Sequence, residues 1–475
     1  MLSKQWKGLL IAACLNASFS ALAWAEDYME TALPSPEQRN VILIIGDGMD
    51  DQQITIARNY LVGANGRLPL DELPMRGAVQ ILAIENKPDG KPLYVSDSAN
   101  TATSLATGEI TSRGRISTGT GDNKILPTIV ELAQQQGFRT GLVSTSSVTD
   151  ATPAAFVAHM STRICQSPDL MQAVVYRDIL MGDCAQETKD KGGLGSIAEQ
   201  MAESKLDVIL GGGSQYFEPL TPGNSSQTVL GAASAAGFRT VSSAAELSEA
   251  ESAERLLGLF SPDTMPVRLR GENGRQAESP EPGWLNHIHR YLGDVTQPAV
   301  MVCEANPEFS GMPSLKAMTD AALQTLQRAG SPGFFLMIES ASIDKQSHYR
   351  KPCGSIGEVE QLNEALASAT AFADSHPNTL ILVTADHSQA AQIVPVESLF
   401  KLFPIPIFTP GKLARIKTPE GSLMAINYAT NNFSAEEHTG ANVPIFGNQE
   451  AIGRVPTFLT QPQIFAVMRD YLELD

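Results

Sequence analysis

Three side chains that can bind metals or transfer protons follow one short apolar segment. Residues 334–338 are a continuous apolar run, and Glu339, Asp344 and His348 come within ten residues of its end. Such a run is typical of a strand buried on both faces, and ligands of open α/β sheets bind at the carboxyl ends of strands. One helical turn separates Asp344 from His348, so both could hold one metal ion. A polar loop with a satisfied histidine is the alternative.

Two other apolar runs also end in carboxylates. Residues 41–45 precede Asp47, and residues 380–385 precede Asp386 and His387. If these strands are parallel, the carboxylates converge at one edge of the sheet and repel one another unless cations lie between them. The sequence therefore predicts more than one divalent metal. Mixed aspartate and histidine ligands suit Zn²⁺, whereas oxygen ligands alone suit Mg²⁺.

Strand-like runs alternate with helical stretches through most of the chain. The predicted elements are helices at 127–136, 318–329 and 359–373 and strands at 139–144 and 206–210. This alternation predicts an α/β fold with a mixed, mostly parallel central sheet sandwiched between helices. The chain shows no convincing linker or repeat, so we predict one domain over 26–475, with irregular surface insertions at about 211–297 and 396–434.

Ser98 lies at the predicted start of a helix that stops at Gly108. Unpaired N–H groups at a helix N-terminus favour an alkoxide and an anionic substrate. The alternative is an ordinary N-cap, and such caps are far more common than nucleophiles. The surrounding residues lack a G-x-S-x-G elbow, which disfavours a Ser-His-Asp hydrolase.

Other candidate residues lie later in the chain. Thr152 before Pro153 predicts a helix start, and we expect Arg163 three turns along that helix. Arginine suits bidentate contacts with phosphate, although a surface salt bridge is the alternative. We interpret His159 as a packed structural histidine. His438 alone would indicate only a surface loop. The predicted metal cluster makes it a candidate site residue.

The N-terminus indicates export. Lys4 and Lys7 precede a largely apolar stretch, and Ala23-Trp24-Ala25 is a cleavage site of the small-x-small type, so residues 1–25 are predicted to be a signal peptide. A retained anchor is the alternative. Because no later segment is long and apolar enough to cross a bilayer, we expect a periplasmic or secreted protein with no membrane anchor after cleavage.

Charge and cysteine content restrict the possible functions and folds. A net charge of −18 argues against general nucleic-acid binding, which needs a basic face. The four cysteines that remain after cleavage allow three disulfide pairings in an oxidising compartment. We favour the local pairing of Cys165 with Cys184 and of Cys303 with Cys353.

Six motifs, in the same order along the chain, resemble those of bacterial periplasmic alkaline phosphatases. They are Gly46-Asp47-Gly48-Met49, Asp97-Ser98-Ala99, Asp150-Ala151-Thr152-Pro153-Ala154, Glu339 with Asp344-Lys345 and His348, Thr384-Ala385-Asp386-His387, and Glu437-His438-Thr439-Gly440. The resemblance extends from about residue 38 to about residue 470. Residues 271–293 depart from the family pattern, and the segment 399–408 is also distinctive.

The resemblance implies a role for each of these residues. Ser98 would be the phosphorylated nucleophile, Arg163 would bind two phosphate oxygens, and Lys345 would reach the phosphate through water. The implied metals are two Zn²⁺ and one Mg²⁺ per chain. One zinc would bind Asp344, His348 and His438, and the other would bind Asp386, His387 and Asp47. Magnesium would bind Asp47, Thr152 and Glu339, with waters oriented by Asp150. A homodimer and the same two local disulfides are also implied.

The implied reaction is hydrolysis of small phosphate monoesters to an alcohol and inorganic phosphate, with broad specificity suited to phosphate scavenging. A covalent phosphoserine would split one difficult step into two. Two metals about 3.5–4 Å apart can stabilise both ends of an in-line displacement. The alternatives are a phosphodiesterase or sulfatase of the same superfamily, and a phosphate- or zinc-binding protein without turnover. Ser98 together with Arg163 and the third-metal residues favours monoesters.

Overall fold

A ten-stranded sheet forms the centre of this computed structural model, which describes residues 38–475 except 177–178, 224–225, 251–252, 328–329 and 397–409. Its strands are β1 (Arg39–Gly46), β2 (Met75–Gln80), β3 (Arg139–Ser147), β4 (Val208–Gly212), β5 (Arg239–Val241), β6 (Leu256–Leu259), β7 (Gly333–Ser340), β8 (Thr379–Ala385), β9 (Val443–Gly447) and β10 (Phe458–Thr460). Their order across the sheet is β10-β2-β9-β8-β1-β7-β3-β4-β6-β5.

All neighbouring strands of this sheet are parallel except the two pairs that contain β9. The mostly parallel sheet predicted from the sequence is therefore confirmed. The apolar runs form the central strands because parallel strands covered on both faces bury every side chain, and β1, β7 and β8 are almost entirely buried.

The central strands end at the same level. Gly46 pairs with Ser340 of β7 on one side and with Ala385 of β8 on the other. Asp47 and Asp386 therefore leave the sheet side by side, one residue beyond these pairs. Glu339, the penultimate residue of the adjacent strand β7, lies at the same edge of the sheet. The register of the sheet, set by apolar pairing, thus delivers three carboxylates to one edge.

Helices cover both faces of the sheet. They are α1 (Asp51–Leu61), α2 (Ser98–Thr107), α3 (Ile129–Gln135), α4 (Ala151–Ala155), α5 (Ile197–Glu203), α6 (Val229–Ala235), α7 (Ala244–Ser248), α8 (Trp284–Ile288), α9 (Leu315–Leu326), α10 (Ser342–His348), α11 (Pro352–Ser375) and α12 (Gln461–Leu472). One group packs around α11, which contacts α1, α9 and α10, and a second packs around α12, which contacts α2 and α3; both α11 and α12 contact β1. The predicted helices correspond to α3, α9 and α11.

The expected insertions have different outcomes. Residues 211–297 include β5 and β6, which are strands of the central sheet, so this interval is not a single surface addition. The interval 396–434 contributes strands Lys412–Lys417 and Leu423–Tyr428 to a separate three-stranded antiparallel sheet, completed by Gln392–Val394. The distinctive segment 399–408 lies outside the described residues.

Both local disulfides are present, joining Cys165 to Cys184 and Cys303 to Cys353. In the described part of the chain, no helix has the length and apolar composition needed to cross a bilayer. Residues 1–25, the predicted signal peptide, lie outside the described residues.

Removing the disulfides should destabilise the protein to different extents. The chain separation is 50 residues for Cys303–Cys353 and 19 for Cys165–Cys184. Loop-closure entropy then predicts losses of about 4 and about 3 kcal/mol in the free energy of unfolding. Urea denaturation of the two double Cys→Ala variants would measure them. A smaller loss for the 50-residue loop would contradict the entropic explanation.

Candidate active site

Ser98 is the first residue of α2 and is almost fully buried. The preceding Asp97 caps the helix by accepting a hydrogen bond from the N–H of Asn100 at 3.1 Å, and the Asn100 side chain accepts one from the N–H of Asp97 at 2.9 Å. This capping box explains why the helix starts here. The Ser98 hydroxyl lies 3.1 Å from Nε2 of His387. The predicted helix is confirmed, and the fold adds a histidine beside its first hydroxyl.

A first cluster of possible metal ligands consists of Asp344, His348 and His438. Nε2 of His348 and Nε2 of His438 each lie 3.3 Å from a different oxygen of Asp344. The two Nε2 atoms are 3.1 Å apart. As predicted from their spacing, Asp344 and His348 share one face of α10. One metal ion could contact all three side chains.

A second cluster lies beside the first, at the ends of β1 and β8. Nε2 of His387 is 3.4 Å from an oxygen of Asp47 and 3.4 Å from an oxygen of Asp386. The ligand atoms of Asp47, Asp344 and His387 lie within 4.8 Å of one another. The carboxylates predicted to converge from separate strands therefore do meet.

The three histidines of the two clusters are oriented by backbone carbonyls. Each Nδ1 lies close to a carbonyl oxygen, which can only accept a hydrogen bond, so Nδ1 carries the proton and Nε2 presents its lone pair to the cluster. The carbonyls are those of Glu436 for His348, Ser388 for His387 and Ser96 for His438, at 2.5, 3.3 and 2.8 Å. This arrangement is typical of histidines that bind metal.

The carboxylates influence one another strongly. Burial, followed by the charges of Asp386 and Asp344, raises the pKa of Asp47 well above its usual range. Burial also raises the pKa of Glu339 to about 7, although hydrogen bonds from Ser144 oppose this shift. Ionised carboxylates that are buried close to one another raise the free energy of the folded state unless a cation compensates them.

Oδ1 of Asp47 is buried and has no hydrogen-bond partner among the described residues. The buried hydroxyl of Thr152 has none in good hydrogen-bond geometry, although it lies close enough to Glu339 to lower the pKa of that carboxyl. Buried polar atoms are nearly always paired, so an unpaired carboxylate oxygen at this place fits a bound cation. The donor set of Asp47, Thr152 and Glu339 contains only oxygen, which fits Mg²⁺, whereas the two histidine clusters fit Zn²⁺.

Two positively charged side chains lie beside the clusters of possible metal ligands. Arg163 donates a hydrogen bond to Asp150 at 2.7 Å and lies 3.6 Å from Asp97, and Lys345 donates to the other oxygen of Asp150. Although burial acts in the opposite direction, Lys345 and Arg163 hold the pKa of Asp150 well below its usual range. Asp97 and Asp150 thus hold an arginine close to the N-cap of α2, one residue before Ser98.

The predicted location of Arg163 on a helix is wrong. Helix α4 ends at Ala155 because the following chain pairs with another segment, through reciprocal hydrogen bonds between Ile116 and Met160. Arg163 therefore lies in a loop, fixed by a 2.7 Å hydrogen bond from its N–H to the carbonyl of Gly114. Its position near Asp97 and Asp150 comes from this tertiary pairing.

The interpretation of His159 as a structural residue is confirmed. It is buried, its Nδ1 lies 3.0 Å from the Ser117 carbonyl, and its Nε2 lies 3.2 Å from Glu131. The segment 271–293, which departs from the family pattern, contains His287 and His289, and these belong to neither group of possible metal ligands found among the described residues.

Other residues that support the clusters were not predicted from the sequence. Gln389 donates to Asp344 at 2.5 Å, and its place two residues after His387 could have suggested this role. Arg350 forms a buried ion pair with Glu436 at 2.6 Å. No spacing in the sequence indicates a contact between residues so far apart.

The predicted site residues lie in one region. They are Asp47, Ser98, Asp150, Thr152, Arg163, Glu339, Asp344, Lys345, His348, Asp386, His387 and His438. Together they could bind an anion with an arginine, polarise it with metals and attack it with a serine.

Comparison with known proteins agrees with this chemistry. The alkaline phosphatase family model matches residues 38–443. The chain is 38% identical to alkaline phosphatase of Escherichia coli, over 94% of this chain and 88% of the relative. It is 37% identical to streptomycin-6-phosphate phosphatase of Streptomyces griseus, over 98% of this chain and 97% of the relative.

Solved structures show the same fold at lower identity. Alkaline phosphatase of Thermus thermophilus has a TM-score of 0.65 and 22% identity, covering 93% of this chain and 92% of that one. The enzyme of the Antarctic bacterium TAB5 has a TM-score of 0.64 and 22% identity, covering 92% and 99%. The chain therefore belongs to the alkaline phosphatase family, whose members are metal-dependent hydrolases of phosphate monoesters.

Proposed function

We propose that this chain hydrolyses phosphate monoesters through a phosphoserine intermediate on Ser98. The observation that carries the proposal is the position of the Ser98 hydroxyl, at the N-terminus of α2 and 3.1 Å from His387 in the second cluster. A serine with only a capping role would not need to face metal ligands. The binding-protein alternative leaves this position unexplained.

The chain's own residues supply binding, orientation and the nucleophile. Arg163 binds oxygens of the phosphoryl group, and its ion pairs with Asp150 and Asp97 direct it toward Ser98. Ser98 loses its proton and attacks phosphorus, and the bond from phosphorus to the alcohol oxygen breaks as that oxygen takes up a proton. Water then attacks phosphorus, which releases inorganic phosphate and restores the serine hydroxyl.

The metals would be held by three ligand sets. One zinc would bind Asp344, His348 and His438. The second would bind Asp386, His387 and Asp47, whose carboxylates lie 3.4 Å from Nε2 of His387, and magnesium would bind Asp47, Thr152 and Glu339. When bound, such ions lower the pKa of a nucleophilic hydroxyl and stabilise charge on the attacking and leaving oxygens. Asp150 would orient waters near the magnesium. A solved TAB5 alkaline phosphatase variant has Mg bound in its M3 site.

We also propose broad specificity that suits phosphate scavenging. A cavity of about 650 Å³ adjoins Lys345 and His348, and its wall includes the exposed Tyr349. The cavity reaches the proposed site at Lys345 and His348, its lining does not include Ser98, and its volume greatly exceeds that of one phosphate group, which is consistent with varied alcohols. Export to the periplasm or the exterior follows from the predicted signal peptide and the two disulfides. Assembly as a homodimer stays a prediction from the family resemblance.

The reaction class can be tested by measuring initial rates for an aryl phosphate monoester and the matching diester, with zinc and magnesium at alkaline pH. We expect the monoester rate to be larger by several powers of ten, because Arg163 and the third-metal residues are arranged for a terminal phosphate. A preference for the diester would overturn the roles of these residues. Turnover of neither ester would favour a binding protein.

Replacing the nucleophile separates chemistry from binding. Ser98→Ala should lower the rate of monoester hydrolysis at least about 1,000-fold, because no other side chain replaces the attacking oxygen. Inorganic phosphate should still bind, as measured by calorimetry. Ser104→Ala is a matched control, since Ser104 is a buried serine of the same helix that donates to Asn100. Hydrolysis by Ser98→Ala at the wild-type rate would refute the serine mechanism.

Metal removal should affect both activity and stability. Dialysis against a chelator should abolish hydrolysis and lower the melting temperature, because Asp47, Asp344 and Asp386 would then repel one another within a buried cluster. Adding Zn²⁺ with Mg²⁺ should restore both properties, whereas Mg²⁺ alone should not restore activity. Full activity in protein shown to be metal-free by elemental analysis would contradict the account.

A further inference from the structure

Arg350 has an unusual backbone conformation for a residue with a side chain. Its φ angle is 59°, in the left-handed region that glycine usually occupies after a helix. Its N–H donates to the Ser347 carbonyl at 2.9 Å, and the N–H of Lys351 donates to the Gln346 carbonyl at 2.8 Å. These two hydrogen bonds form a Schellman motif that ends α10. An arginine at the glycine position of this motif suggests that its side chain has a specific task.

The guanidinium of Arg350 is buried, and its hydrogen bonds to described residues all go to one segment of the chain. Nε donates to Glu436 at 2.6 Å, and the two terminal nitrogens donate to the carbonyls of Ser434 and Phe433 at 3.0 and 2.8 Å. The Glu436 side chain is fully buried, and its other oxygen accepts from the N–H of Thr430 at 2.8 Å. Because buried ion pairs add little net stability over apolar residues, stability alone does not explain this pair.

Glu436 also binds the end of α10 through its backbone. Its N–H donates to the carbonyl of His348 at 3.0 Å, and its carbonyl accepts from Nδ1 of His348 at 2.5 Å. Two residues further along, His438 places Nε2 3.1 Å from Nε2 of His348. Arg350 lies at the end of the helix that carries Asp344 and His348. Its side chain thus anchors the segment that orients His348 and supplies His438.

We propose that Arg350 and Glu436 are positioning residues for the ligand set of Asp344, His348 and His438. This inference rests on the zinc site of the proposed function. Glycine would end α10 with less backbone strain, but only a long side chain with several donors connects the helix end to residues 433–436. Groups that orient metal ligands from outside commonly change metal affinity by about 10–100-fold.

The test measures zinc affinity of the full chain, after metal removal, by competition with a chromogenic zinc chelator. Both Arg350→Met and Arg350→Gly should bind the tightest zinc about 10–100-fold more weakly than the wild type. Arg350→Gly is the more informative variant, since it keeps the left-handed turn and removes only the side chain. Its melting temperature and circular dichroism report whether the fold is intact.

A double variant separates positioning from charge burial. Arg350→Met alone leaves Glu436 buried and unpaired, which should lower the melting temperature. Arg350→Met with Glu436→Gln removes both charges, so the melting temperature should recover while zinc affinity stays low. Arg58→Met is the control, because Arg58 also forms an arginine–carboxylate ion pair, with Asp71 at 2.7 and 2.5 Å, and its hydrogen-bond partners among the described residues include none of the proposed metal ligands. Its zinc affinity should equal that of the wild type.

The outcomes distinguish this inference from the proposed function. Folded Arg350→Gly protein that binds zinc as tightly as the wild type would show a purely structural role and overturn the inference. If the double variant regained both stability and zinc affinity, charge burial rather than positioning would explain the pair, which would also overturn it. A wild-type protein that binds no zinc would overturn the metal site itself, and this inference with it.

Discussion

Electrostatic repulsion among buried carboxylates is the constraint on which the rest of this structure depends. The parallel register of β1, β7 and β8 brings Asp47, Glu339 and Asp386 to one edge of the sheet. Burial raises the pKa of Asp47 and of Glu339, so neither charge is stable without compensation. Cations bound at this edge would compensate these charges, and in the proposed function the same cations would favour attack of Ser98 on phosphate.

The surrounding elements hold the ligands in orientations that suit metal binding. Backbone carbonyls fix the Nδ1 proton of each histidine, and the N-terminus of α2 places the Ser98 hydroxyl beside His387. Asp150 then joins Arg163 and Lys345 at the border of the metal clusters. The site is therefore assembled from strand ends, two helix termini and two loops, and only the strand ends follow from local apolar patterns.

The predictable part of the fold is the part encoded locally. Long apolar runs indicated the central strands, since strands covered on both faces contain little else. The four-residue spacing of Asp344 and His348 indicated their shared helix face, and the predicted helix from Ser98 to Gly108 corresponds to α2. The motif resemblance supplied the ligand sets, which the positions of these side chains in the structure support.

Features that depend on distant contacts could not be predicted. Arg163 was expected on a helix, but pairing of Met160 with Ile116 ends α4 early and holds the arginine in a loop. Strands β5 and β6 are too short for their period to distinguish them from surface additions. The ion pair of Arg350 and Glu436 joins segments that no local pattern connects.

Anomalous X-ray diffraction at the zinc absorption edge, from crystals of the protein purified with zinc and magnesium, would show whether metal ions lie among these carboxylates. We expect two strong anomalous peaks about 3.5–4 Å apart. One peak should lie among Asp344, His348 and His438, and the other should lie beside His387 and Asp386. A converged carboxylate cluster with no anomalous peak, or a single zinc bound elsewhere, would contradict the claim that bound cations stabilise this edge of the sheet.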